Sequence, residues 1–157
     1  MPKYWKINQS KKCESPEVVS NYLDKLSHLD YQAVGLNFRA YLELEPQKFF
    51  KNFLAAGDWQ QHGIERMQTE LKFVYQFEHS RCTLTINEGK LRQPDSEALP
   101  IVVFSGNFAY KLGTQELDDR AEALKKIVAN WNNDLDKFKN IINDFPQVAK
   151  EKELVKA

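Results

Sequence analysis

The chain is poor in the residue types that usually announce a function. It has two cysteines, Cys13 and Cys82, in 157 residues, too few for a disulfide scaffold. The histidines, His28, His62 and His79, are scattered, with no His-x-x-x-His and no Cys-x-x-Cys, so no metal-ligand spacing exists. Glycine and proline number six each, and no glycine run could cradle a phosphate. The Gly-x-Ser-x-Gly elbow of serine hydrolases is missing as well. Charge of one sign is also lacking, because 22 Lys plus Arg balance 22 Asp plus Glu. No global field would steer the protein to nucleic acid or a membrane surface. No apolar run approaches the length of a membrane span, and Met1–Lys6 lack the apolar core of a signal peptide. A cytoplasmic protein with reduced thiols is the expectation.

Aromatic residues are what the chain has in quantity: ten Phe, six Tyr and three Trp. Large side chains of that kind dominate a core, and a chain of this length supports one sizeable core in a single domain, 1–157. The first 14 residues read as an arm or edge strand, and residues 146–157 as a frayed tail.

Periodicity then places the elements. Thr114 to Phe145 is the longest pattern. Leu117, Ala121, Leu124, Val128, Trp131, Leu135, Phe138, Ile142 and Phe145 alternate spacings of four and three, so they share one stripe of an α-helix about 45 Å long. Ser15-Pro16 opens an N-terminal helix over residues 16–28, carrying Val18, Val19, Tyr22, Leu23, Leu26 and Leu29. From Gly35, Leu36, Phe38, Ala40, Leu42 and Leu44 alternate with polar neighbours, which marks a half-buried strand. Pro46 ends it and starts a short helix with Phe49, Phe50 and Phe53. Leu71, Phe73, Tyr75 and Phe77, then Cys82, Leu84 and Ile86, form a tight hairpin. Ile101 to Leu112 supplies another strand, with Gly113 and Thr114 breaking into the long helix. The expected fold is α+β: an antiparallel sheet of about four strands packed against a long C-terminal helix, with an N-terminal helix and one short helix.

Three constellations bear on function. His79 and Cys82 are the one local pair that could suggest a base and nucleophile. Cys82, however, is in phase with Leu84 and Ile86, as a small buried hydrophobe would be. Gly35-Leu36-Asn37-Phe38 and Ser105-Gly106-Asn107-Phe108 both set Gly and Asn inside strand patterns that disfavour them. Asn37 and Asn107 are candidate polar residues of a pocket. Alternatively, Gly permits close packing against an aromatic while Asn faces water. Finally, a helix of about 45 Å overhangs a four-stranded sheet only about 15–20 Å wide. Phe138, Ile141, Ile142 and Phe145 would then be exposed together, a candidate interface for a homodimer.

With Tyr31–Phe38, Phe104–Phe108 and Ile127–Trp131 in view, the chain resembles a scattered group of small bacterial α+β proteins. Their outline is similar to the SecB-like chaperone fold. The resemblance spans residues 15–145 and implies the fold, but carries no functional residues with it. The chain departs from SecB in its neutral charge and in the helix that precedes the long strand.

With no catalytic set, the reading is a non-enzymatic protein needing no cofactor or metal, which binds protein or peptide through a sheet edge or apolar grooves. Neither nucleic acid nor membrane is an expected partner. The alternative is a carrier of a small apolar ligand, held in a pocket between the sheet and the C-terminal helix.

Overall fold

The computed structural model describes residues 5–7, 15–26, 29–51, 53, 68–92, 94, 97–113 and 117–145. The elements run β1 (Trp5–Ile7), α1 (Ser15–Lys25), β2 (Ala33–Leu42), α2 (Pro46–Phe50), β3 (Glu70–Gln76), β4 (Arg81–Leu91), β5 (Leu99–Lys111), α3 (Leu117–Ala129) and α4 (Trp131–Asn143). The α+β class with an antiparallel sheet follows the periodicity, and the sheet order is β1-β2-β5-β4-β3. Four long strands carry it, while three-residue β1 pairs with the end of β2, Trp5 opposite Leu42 and Ile7 opposite Ala40.

Side chains alternate across a strand, so the register sorts the sheet into two faces. On the inner face, Leu36, Phe108, Cys82 and Tyr75 form one row across β2, β5, β4 and β3. The next rows are Phe38, Gly106, Leu84 and Phe73, then Ala40, Phe104, Ile86 and Leu71. Helix α4 lies over these rows with Leu135, Phe138, Ile142 and Phe145 buried, and α2 adds Phe49 and Phe50. All ten phenylalanines of the chain belong to this core or pack against it. Their rings meet edge-on and stacked: Phe38 on Phe138 at 5.9 Å, Phe49 against Phe104 at 5.7 Å, Phe73 against Phe145 at 5.6 Å.

Gly106 explains how the helix comes so close. A Cβ there would stand 2.7 Å from Cδ2 of Phe138, so only a bare backbone admits that ring. This is the close packing against an aromatic that the Gly-Asn pattern allowed.

Two expectations change. The single sizeable core expected is divided in two: Leu36, Phe38, Phe73, Phe104 and Trp131 belong to or pack against one cluster, but Leu124 and Val128 do not. Leu124 and Val128 join Leu23 and Leu112 in a second core, at the end of the sheet where α1 packs on α3. The helical stretch from Leu117 is also not one rod. It divides at Asn130, whose φ of −94° and ψ of 16° leave the helical region. The Asn130 N–H still donates to Lys126, 3.1 Å, while its carbonyl accepts from Asn133 N–H, 3.0 Å, across a tighter turn. The division lets α3 face the second core while α4 lies on the sheet. Asp24 of α1 pairs with Lys125 of α3 at 2.6 Å, and Asp30 with Arg120, tying the second core from outside. α3 does not cover the whole apolar stripe of α1, so Val18 and Tyr22 remain exposed.

Candidate functional site

The expected interface residues pack inward, with Ile141 half-buried. Phe138, Ile142 and Phe145 are buried in the protein's own core, and Ile141 packs against it. The helix does not overhang, because its division at Asn130 sends only the second half over the sheet.

Asn37 and Asn107 do come together. They are direct cross-strand partners on the outer face, and Asn107 Nδ2 donates to Asn37 Oδ1 at 2.7 Å. An open cleft of about 480 Å³ lies elsewhere, where α2 begins beside the end of β4, bordered by Glu45, Gln47, Glu88, Lys90 and Pro100. Its rim is polar, unlike the mostly apolar lining of a small-molecule pocket. Between sheet and α4, where an apolar carrier would hold its ligand, Phe138 sits in van der Waals contact with the sheet at Gly106.

His79 and Cys82 do not meet as base and nucleophile. His79 is exposed in the β3–β4 turn beside Glu78, at 3.6 Å, while Cys82 is fully buried on the inner face. Burial, followed by the charge of Asp134, pushes the Cys82 thiol up to about 11, away from the thiolate a nucleophile needs. A bulky thiol reagent should therefore modify Cys82 only as the protein unfolds. Modification in native buffer at the rate of a free peptide thiol would contradict this placement. Cys13, the other thiol, lies outside the described residues.

Sequence reasoning missed one polar cluster. Asp134, on the first turn of α4, is buried. It accepts from the Tyr110 hydroxyl and pairs with Lys137 Nζ at 3.0 Å. Burial first, then the bond to Asp134, pushes the Tyr110 hydroxyl up to about 12, with the Ser80 hydroxyl pulling the other way. Lys137 also stands over the Phe77 ring, 5.1 Å from its centroid. Tyr110 was in phase with Phe108, and a tyrosine in a core row needs a partner for its hydroxyl. That was the available signal. The carboxylate, ammonium and phenol satisfy one another, and their chemistry is that of a polar pin between α4 and β5. Among the described residues no group of three His, Cys, Asp or Glu could hold a metal ion, and nothing here gives positive support for catalysis. No described helix is long and apolar enough to cross a membrane.

What remains open is the edge of the sheet. β3 pairs with β4 along all seven residues, Glu70 opposite Asn87 to Gln76 opposite Arg81. Among the described residues nothing pairs with its other side. Such an edge presents a row of backbone donors and acceptors without ladder partners. Its inner-face side chains, Leu71, Phe73 and Tyr75, are only half-buried because their rows end there, and Phe77 just beyond is half-buried too. On the other side, Val74 is 51% exposed. At the opposite margin β1 already pairs with part of β2.

Compared with protein-family models, with curated proteins and with solved structures, the chain matches none.

Proposed function

We propose that the protein is a non-enzymatic binding protein that takes up an extended segment of a partner by strand addition to β3. The single observation carrying this reading is the seven-residue edge whose inner side chains stay half-exposed. An added strand satisfies the backbone groups that have no ladder partner among the described residues, and alternate side chains of the partner complete the rows ended by Leu71, Phe73 and Tyr75. Backbone bonds would supply affinity and the apolar row would set the register. Burying each apolar side chain fully contributes about 1.5–3 kcal/mol, against the entropy of ordering the segment. That balance favours reversible binding.

The test is amide hydrogen exchange and chemical-shift mapping with peptides alternating apolar and polar residues. Binding should protect amides of Glu70–Gln76, and methylating alternate peptide nitrogens should weaken it at least about tenfold, because the ladder loses its donors. Shifts confined to other surfaces, such as the exposed Val18 and Tyr22 of α1, would rule the reading out.

A further inference from the structure

The outer face of the sheet is charged unevenly. Of the outward positions on β2 to β5, Arg39, Lys72, Arg81 and Lys111 are cationic and only Glu70 is acidic. All five are exposed, and the cations make no ion pair with any described residue. The whole chain is neutral, so this face carries a local excess of three positive charges (four minus one). Between the cations lie Asn37 paired with Asn107, and the hydroxyls of Thr83, Thr85 and Ser105.

Two of the four cations lie within reach of a strand added at β3, and Glu70 stands on β3 two residues from Lys72. Lys72 is on β3 itself and Arg81 is on β4, opposite Gln76. With strands about 4.8 Å apart, a strand added to β3 would place an outward side chain about 5 Å from Lys72, Cβ to Cβ. Arg81 is one strand further in, about 10 Å away, and its long side chain spans most of that gap. On the inner side the same added strand would lie beside Leu71, Phe73 and Tyr75.

Resting on the reading of β3 as a strand-addition edge, we propose that its partner is an extended acidic segment alternating apolar and carboxylate side chains. The apolar set completes the aromatic rows of the inner face; the carboxylates pair with Lys72 and Arg81 on the outer face. Cross-strand pairs of opposite charge stabilise a sheet and like charges oppose pairing; Glu70 opposes one carboxylate of the added strand while Lys72 and Arg81 draw others, so the edge selects on balance for acid and against base. A single-stranded nucleic acid fits this face less well. It needs aromatic platforms for its bases, and the outward positions of β2 to β5 offer only Tyr41, half-buried on the strand farthest from β3 among these four. A second copy pairs Glu70 with Lys72 in the antiparallel register centred on Leu71, while the register centred on Lys72 sets two lysines face to face; oligomeric state is therefore one outcome of the test.

The test uses the full chain and two fluorescent nine-residue peptides that share leucine and phenylalanine at alternate positions. One carries glutamate between them and the other lysine. The glutamate peptide should bind at least about tenfold tighter at about 0.01 M salt, and the gap should close near 1 M, where the screening length falls to about 3 Å. Lys72→Glu with Arg81→Glu should reverse the preference. Lys72→Gln with Arg81→Gln should erase it while β3 amides stay protected, which also covers the case in which charge reversal disturbs folding. Equal binding of both peptides at β3 overturns the acidic rule but leaves strand addition standing. No binding of either overturns both. Tighter binding of oligothymidine, or sedimentation as a dimer with β3 amides already protected, replaces the acidic segment by nucleic acid or by a second copy.

Discussion

Truncating Phe138 to alanine should cost about 3–5 kcal/mol, a large share of the stability of a domain this size. Phe138 is fully buried, stacks on Phe38 at 5.9 Å and fills the space over Gly106. The same contact predicts a coupled pair. Gly106→Ala alone should destabilise by about 1–3 kcal/mol, because the new Cβ would stand 2.7 Å from the ring and the sheet backbone cannot yield. In a Phe138→Leu background the alanine has room. The combined loss should then fall short of the sum of the two single losses by about 0.5–3 kcal/mol. Urea denaturation of the four proteins measures this cycle. Strict additivity would show that the ring and the glycine are not in the contact described.

Stability should also fall steeply in alkali. The Cys82 thiol, ordinarily near 9.0, is pushed up to about 11 by burial and then by the charge of Asp134. Between those values the unfolded chain releases a proton that the native protein retains, so the unfolded state binds fewer protons and stability drops as pH rises. The contribution is fully present below about pH 9 and lost as pH climbs through about 11, a change of about 2–3 kcal/mol. Tyr110, pushed up to about 12 by burial and by its bond to Asp134, acts in the same direction at higher pH. Denaturant melts at a series of pH values should show the decline. Cys82→Ala should flatten its lower part and Tyr110→Phe its upper part. A profile unchanged in Cys82→Ala would remove the thiol from the core.

Much of the fold was written in local patterns. Alternation through Leu36, Phe38, Ala40 and Leu42 is visible in the chain because one face of a strand meets the core and the other does not. Pro46 marks a break for an equally local reason, its missing N–H. The stripe from Ala121 to Phe145 named the inward side correctly. The candidate site was less legible. Asn37 and Asn107 stood out as misfits, yet their pairing depends on a register between strands 70 residues apart in the chain. Asp134 gave no local sign of burial, because its partner Tyr110 comes from another element.

The sequence by itself therefore determined which residues turn inward, where elements start and stop, and that the core would be aromatic. These follow from periodicity and from backbone restrictions that act within a few residues. Only the tertiary structure decided that β5 enters between β2 and β4, that the C-terminal helix divides at Asn130 to serve two cores, and that Phe138 rests on Gly106. It also decided which strand is left at the margin. Strand order and helix placement are chosen by the sum of many long-range contacts, and a residue's own neighbours in the chain carry no record of that sum.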